Sequence, residues 1–350
     1  MPASVLIVGL GRGTAWAREI HAADDLEVAG LVDVDADRLV EIGQELEVPA
    51  ERQYTSYEEA LAKPADVVLL AVPTPLHARM SLAGLEAGHH VICEKPLAMT
   101  LEEGRELRTA VRRFGHRFMV SEQYRFADGV ENLRRAVASG LIGTVGYISH
   151  EFLKGTGNAG GRWAANTHWS RAYVEGSLHD MSVHHFDMWY YITGQRPTEI
   201  YAKPFDPLWS QGRRFGYSVT ATLADGTHID YLTARAMARR ETTWFGTMWI
   251  VGDKGALYWD GDSLDVELSR LAPGSPDVGQ VLKTERVAFV KGGVTNTNGP
   301  LAPLVRSLVE AIAAGRPHSC DIDDNWASFA TAMAAVESAL TGRPVAVPAV

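Results

Sequence analysis

The stretch Val5-Leu6-Ile7-Val8-Gly9-Leu10-Gly11-Arg12-Gly13-Thr14-Ala15 decides how the front of this chain is read. Four apolar residues that stop at a glycine read as a short parallel strand buried on both faces. A helical segment follows from about Thr14 to Ala23. A glycine-rich turn between such a strand and helix lets the backbone approach a pyrophosphate, whose charge then faces the helix N-terminus. The third glycine of a G-x-G-x-x-G pattern would fall at position 14, where this chain has Thr14. Taken alone, the glycines read equally well as a tight turn.

Outward from the turn, strands and helices keep alternating. Val28-Ala29-Gly30-Leu31-Val32, Val67-Val68-Leu69-Leu70-Ala71, His90-Val91-Ile92-Cys93 and Phe118-Met119-Val120 read as strands, with helices across 35–46, 76–87 and 101–113. This alternation predicts a doubly wound parallel sheet over residues 1–123. Beyond about residue 145 the period changes. Gly216 to Leu223 and His228 to Arg235 alternate around Ala224-Asp225-Gly226-Thr227, and 249–251 with 256–259 repeat the scheme. Hairpins of this kind predict an α+β domain over 124–350 with a large, mostly antiparallel open sheet. A helix is expected over 177–193, stopped by Gly194. Two closing helices, near 303–314 and 325–341, stop at Gly315 and Gly342 and could pack back on the first domain.

Composition bounds the function. The 350 residues suit two domains, and 46% hydrophobic with 22% charged residues is ordinary for a folded chain. Thirty-three basic against 43 acidic side chains leave a net charge of −10, which disfavours nucleic acid as a partner. No apolar run reaches roughly 18 residues, and the start lacks the basic region of a signal peptide, so a cytoplasmic protein with no membrane association is expected. Cys93 and Cys320 are too few for a disulfide framework or a thiolate metal cage.

Asp33 closes the second strand, where a carboxylate accepts hydrogen bonds from an adenosine ribose and repels a 2′-phosphate. NAD is therefore favoured over NADP. The structural alternative makes Asp33 a cap for the helix starting near Asp35.

With these segments in view, the chain resembles the Gfo/Idh/MocA oxidoreductases, the family of glucose–fructose oxidoreductase and inositol dehydrogenase. The glycine turn, Val72-Pro73-Thr74-Pro75-Leu76-His77, and Ala87-Gly88-His89-His90-Val91-Ile92-Cys93-Glu94-Lys95-Pro96 carry the resemblance in order. Tyr124-Arg125-Phe126, Gly176 through Asp180 to His184, and the late Gly342-Arg343-Pro344-Val345 extend it over nearly the whole chain. Val72, Thr74 and Trp16 depart from the family's usual residues.

The resemblance implies cofactor contacts from Gly9, Gly11, Arg12, Gly13, Thr14, Asp33, Ala71, Val72, Pro73, Thr74, His77, Glu94, Lys95, Pro96 and Gln123. It implies catalysis by Lys95, Asp180 and His184 in an NAD(P)-dependent dehydrogenase of a sugar, sugar derivative or cyclitol, associating as a homodimer or homotetramer. Oxidising a carbinol carbon needs a base for the hydroxyl proton and a charge that steadies the alkoxide. On one continuous helix Asp180 and His184 would share a face, with His184 as base, Asp180 as its partner and Lys95 contacting the hydroxyl. The bland readings are a solvated lysine and a surface pair of small worth. Tyr124, Arg125, Trp163, Asn166 and His168 are candidate substrate contacts, with packing of the tryptophans and an ion pair at Arg125 as the alternatives. No metal is expected, since Asp180, His184 and Asp187 lack companion ligands. A redox-neutral, glycosidase-like enzyme that retains its cofactor and a non-catalytic dinucleotide sensor are the competing functions.

Overall fold

The computed structural model describes residues 2–115, 117–155, 175–206, 216–235, 240–263, 266–271, 281–287 and 301–349, and the elements below are those of the described residues. The chain divides into two compact units, 1–123 with 300–326 and 124–299 with 327–350.

In the first unit, β1 (Ala3–Val8), α1 (Gly13–His21), β2 (Leu26–Val32), α2 (Ala36–Glu45), β3 (Gln53–Tyr54), α3 (Tyr57–Leu61), β4 (Val67–Leu70), α4 (His77–Glu86), β5 (His90–Cys93), α5 (Leu101–Phe114) and β6 (Phe118–Val120) follow in chain order. Six parallel strands lie in the order β3-β2-β1-β4-β5-β6. This is the expected doubly wound sheet, with its switch point between β1 and β4. Val5 to Val8, Val67 to Leu70 and Val91 to Cys93 are buried almost completely, as strands covered on both faces must be. The 300–326 segment returns to this unit. Glu19 accepts from the amides of Leu301 and Ala302, Arg306 pairs with Asp25, and the Val120 amide donates to the Cys320 carbonyl.

The second unit holds α6 (Asp128–Ala138), β7 (Val145–Lys154), α7 (Gly176–Asp180), α8 (Ser182–Thr193), β8 (Pro197–Phe205), β9 (Gly216–Leu223), β10 (His228–Arg235), β11 (Thr247–Gly252), β12 (Gly255–Trp259), β13 (Val266–Leu271) and β14 (Val281–Val287). Between the last two stretches of this unit the chain runs through α9 (Ala302–Ala313) in the first, and α10 (Ile322–Thr341) starts in the first unit and ends in the second before β15 (Val345–Ala346). Nine strands form one sheet in the order β14-β13-β12-β11-β7-β10-β9-β8-β15. Only β7 and β10 pair in parallel, so the sheet is mostly antiparallel as expected. Along β9, Tyr217, Val219, Ala221 and Leu223 face the core while Ser218 faces solvent, the alternation of a sheet packed on one face. Gly194, Gly315 and Gly342 all take the left-handed conformation at helix ends, as read from the sequence.

The sequence reading of a single helix over 177–193 needs correction. α7 stops at Asp180 and α8 restarts at Ser182, with Met181 between them at φ −100°. Asp180 and His184 therefore do not stand four residues apart on one regular helix; His184 lies in the first turn of the second.

His150 on β7 is 1% exposed, with Nε2 2.8 Å from the Phe245 carbonyl and Nδ1 accepting from the Trp189 indole at 3.0 Å. Burial lowers its pKa to about 4, against the weaker upward pull of the Phe245 carbonyl. As pH falls below the unfolded value near 6.5, the unfolded chain takes this proton before the folded chain does. Stability present above that pH is therefore lost down to about pH 4, on the order of 3 kcal/mol from this one group. Urea unfolding at pH 7 and pH 4.5 should show a smaller acid loss in His150→Gln, whose amide can both donate to Phe245 and accept from Trp189. An unchanged loss would remove His150 as its source.

Candidate active site

Five of the six loops that leave the carboxyl edge of the parallel sheet, all but the one after the edge strand β3, carry their first amide onto a neighbouring strand. Gly9 donates to Val32, Asp33 to Tyr54, Ala71 to Val8, Glu94 to Leu70 and Ser121 to Cys93, all at 2.8–3.2 Å. These bonds gather Gly9, Asp33, Ala71, Glu94 and the segment toward Gln123 along one edge, where ligands bind in such sheets.

Gly9 turns the chain at φ +88°, and a Cβ there would lie 2.7 Å from the Ala71 carbonyl oxygen. Only glycine permits that approach. Gly11 has nothing within 4 Å of a Cβ position, so its backbone fronts open space. A Cβ on Gly13 would meet Ile7 and Ala71 at 3.3 and 3.4 Å, which gives Gly13 the helix–sheet packing role that the G-x-G-x-x-G pattern assigns one residue later. Thr14 instead turns its hydroxyl back onto the Leu10 carbonyl at 2.5 Å. The first turn of α1 carries no acidic residue of its own, and its N-cap residue Arg12 makes no side-chain cap bond, so no side chain of the helix caps its first amides.

Asp33 accepts from the Leu10 amide at 2.6 Å and the Asp35 amide at 2.9 Å, and its side chain is 8% exposed. Asp35, not Asp33, caps α2 by accepting from the Arg38 amide. Gln123 ends the series with a buried Oε1 for which no described residue supplies a donor. An open glycine backbone and an uncapped helix start to donate to phosphates, with a fixed carboxylate and a buried amide oxygen to accept from hydroxyl or amide groups, are the groups a dinucleotide needs, so these residues fit one.

Two further groups, Glu94 and His77, hold the edge in shape. Glu94 is buried and accepts from the Trp16 indole at 2.8 Å and the Ser121 hydroxyl at 2.8 Å, with Arg12 at 3.5 Å. Burial alone would raise its carboxyl; the Arg12 and Lys95 charges and the two hydrogen bonds outweigh that and hold it below the usual carboxylate range. His77 is also buried, its ring nitrogens 2.7 Å from the Pro96 carbonyl and 2.9 Å from the Val72 carbonyl. It ties the 72–76 loop to the Lys95–Pro96 loop, and its ring is engaged by backbone. Thr74 is buried, Pro73 exposed, and Lys95 half-buried. Sequence reading noted Trp16 as a departure without a role and missed Ser121; nothing local marks a partner for a carboxylate so distant in the chain.

In the second unit, Tyr124 stacks on His184 with ring centroids 4.2 Å apart and planes at 17°. Both are buried, while Asp180 is partly exposed. Arg125 forms a two-pronged pair with Asp187 at 2.6 Å on each prong, and Ser328 donates to the same carboxylate at 2.6 Å. Its guanidinium is thus committed to the ion-pair alternative of the sequence reading rather than presented to a pocket. Trp163, Asn166 and His168 lie outside the described residues. No group of three metal-ligating side chains occurs among the described residues.

Known proteins match over this whole arrangement. The family model described as oxidoreductase family, NAD-binding Rossmann fold (GFO/IDH/MocA) matches residues 3–122, and the GFO/IDH/MocA C-terminal domain matches 130–258. An uncharacterized oxidoreductase of Bacillus subtilis, YfiI, is 30% identical over 283 residues, 73% of this chain and 67% of the relative. Myo-inositol 2-dehydrogenase of Thermotoga maritima is 31% identical over 199 residues, 56% of each chain. An oxidoreductase from Agrobacterium radiobacter, solved with NAD+, L-tartaric acid and magnesium, shares the fold with a TM-score of 0.84 at 17% identity over 99% of both chains.

Removing the Glu94 carboxylate would leave the Trp16 and Ser121 donors and the Arg12 charge without their partner. Glu94→Ala should lower unfolding stability by about 2–3 kcal/mol, below the range for a fully buried pair because Arg12 is partly solvated. Urea unfolding checks this, and a loss under about 0.5 kcal/mol would show that the carboxylate does not organise the edge.

Proposed function

The chain belongs to the GFO/IDH/MocA oxidoreductase family, and from that premise we propose that it is an NAD-dependent dehydrogenase of a sugar, sugar derivative or cyclitol. The observation that carries this reading is the carboxyl edge of the parallel sheet, where the Gly9–Thr14 turn, Asp33 and the unpartnered Gln123 Oε1 together suit a dinucleotide. The Thermotoga relative, a myo-inositol 2-dehydrogenase, supports the substrate class.

In this reading the first unit holds the dinucleotide through the cofactor residues named above, and the second supplies the substrate's surroundings. When bound there, the nicotinamide would supply the hydride chemistry at the substrate's carbinol carbon. An imidazole nitrogen of His184 takes the hydroxyl proton, Asp180 accepts from a substrate hydroxyl, and the Lys95 ammonium steadies the developing alkoxide. Tyr124, Trp163, Asn166 and His168 serve as substrate contacts. Asp33 favours NAD because its oxygens keep lone pairs for ribose hydroxyls beyond the two amides they serve, while a 2′-phosphate would meet a fixed carboxylate.

Association as a homodimer or homotetramer fits the nine-stranded sheet, whose solvent face exposes Trp249 and Val251. A cytoplasmic setting fits Cys93 and Cys320, which are buried and not joined in a disulfide. No described helix is long and apolar enough to cross a membrane.

NAD and NADP offered separately against inositols, aldoses and glycosides should give absorbance at the NADH band with one substrate class. Lys95→Ala should lower kcat by at least about 100-fold. Tight NAD binding by calorimetry with no net NADH would transfer the reading to the redox-neutral enzyme, and absence of binding would end it. For cofactor choice, Asp33→Asn keeps an acceptor for the Leu10 amide and removes the charge. Its preference for NAD over NADP should fall at least about tenfold, or about 1.4 kcal/mol; an unchanged ratio of dissociation constants would exclude Asp33 as the discriminating group.

A further inference from the structure

Below α8 the buried polar groups of the second unit run in two parallel lines that end on adjacent backbone carbonyls. In one line the Trp189 indole donates to His150 Nδ1 at 3.0 Å, and His150 Nε2 meets the Phe245 carbonyl at 2.8 Å. In the other, the Tyr231 hydroxyl lies 2.7 Å from His185 Nδ1, and His185 Nε2 meets the Trp244 carbonyl at 2.9 Å. The Ser182 hydroxyl stands 3.1 Å from that of Tyr231. A carbonyl oxygen only accepts and an indole N–H only donates, so His150 is neutral with its proton on Nε2. A neutral His185 that donates to Trp244 must likewise accept at Nδ1, which makes Tyr231 the donor and Ser182 the donor to Tyr231. His150 and His185 are 1% and 0% exposed, and their rings meet edge to face at 4.8 Å.

The turn these lines hold lies against Tyr124, the ring that stacks on the proposed base. The Phe245 ring tilts onto Tyr124 at 4.5 Å, and Tyr124 is the ring stacked on His184. The turn passes so near His150 that a Cβ on Gly246 would come within 2.4 Å of Nε2. Fixing two successive carbonyls leaves the peptide between them no freedom to rotate, and the side chain of Phe245 is fixed with it. A stacked imidazole, in turn, cannot rotate about its own axis without lifting off its neighbour.

We propose that His150 and His185, with their donors Trp189 and Tyr231, are positioning residues for His184, acting through the Trp244–Phe245 turn and the Tyr124 ring. The proposal rests on reading His184 as the proton acceptor. Its structural content is independent of that reading: the plane of the His184 ring is set from the sheet side by two neutral histidines. A catalytic constellation needs its groups held within roughly 10–20° of the productive geometry, which a ring free to rotate does not provide.

The test uses the full chain labelled at histidine Cε1, with the His184 signal assigned by its loss in His184→Gln. Ring current from Tyr124 displaces that signal from the free-imidazole position. Tyr231→Phe deletes one hydroxyl and keeps the ring, and His185→Leu removes the whole donor–acceptor line. Both should move the His184 signal toward the free position. His185→Gln, whose amide can accept from Tyr231 and donate to Trp244, should largely restore it. With a substrate in hand, kcat should fall roughly tenfold in Tyr231→Phe with KM for NAD+ unchanged. A His184 signal unmoved in folded Tyr231→Phe and His185→Leu overturns the proposal. A signal that moves in both variants while the wild-type chain shows no turnover sustains the positioning and retires the assignment of His184 as the base.

Discussion

Each loop leaving the parallel sheet must satisfy a backbone amide that the strand ladder no longer covers, and the site follows from how it does so. An unpaired amide at a buried strand end costs about as much as a lost hydrogen bond. The chain meets the requirement by extending the ladder one residue beyond five of the six strands, from Gly9, Asp33, Ala71, Glu94 and Ser121 onto their neighbours. Residues far apart in sequence are thereby brought to one edge. The extension also dictates the glycine at position 9, because the amide bond that Gly9 makes to Val32 leaves its Cα against the Ala71 carbonyl.

Both units then bury a carboxylate and surround it with donors, for different ends. Glu94 is shared among an indole, a hydroxyl and a partly solvated guanidinium, so it braces the first helix against the loops after β5 and β6. Asp187 is completely buried and receives both prongs of Arg125 and the Ser328 hydroxyl, which binds α8 to α10 within the second unit. Removing the carboxylate from either group would leave its donors desolvated and without that partner, which is why such clusters fix geometry even where their net contribution to stability is small. The buried histidines solve the same problem without charge. His150 and His185 each place an N–H on a carbonyl and a lone pair on a donor, so neither needs a proton to be satisfied.

How legible an element was depended on its length and on its asymmetry of burial. β9 and β10 could be read to the residue, because one face packs on helices and the other meets solvent, and a two-residue period survives over eight positions. β3, only Gln53 and Tyr54, carries no period at all, and it forms because β2 offers it a ladder. α6 was passed over although Val130, Leu133 and Ala136 mark an apolar face, since the segment follows the Tyr124-Arg125-Phe126 motif without a capping residue to announce it. The interruption at Met181 was illegible for another reason. Nothing in Leu178-His179-Asp180-Met181-Ser182 breaks a helix by propensity, so only the packing of the two pieces places the break there.

The sequence by itself determined what depends on near neighbours along the chain: the glycine turn, the carboxylate after β2, the switch from a helical to a two-residue period, and the glycine stops at 194, 315 and 342. Backbone sterics and hydrophobic periodicity act over a few residues, so they are written locally. The tertiary structure decided which groups each candidate residue is spent on. It gave Arg125 to Asp187, His77 to two loop carbonyls, Trp16 to Glu94, and Tyr124 to the face of His184. Those pairings join positions widely separated in the chain, and they form because a buried polar group must find a partner wherever the packed fold supplies one.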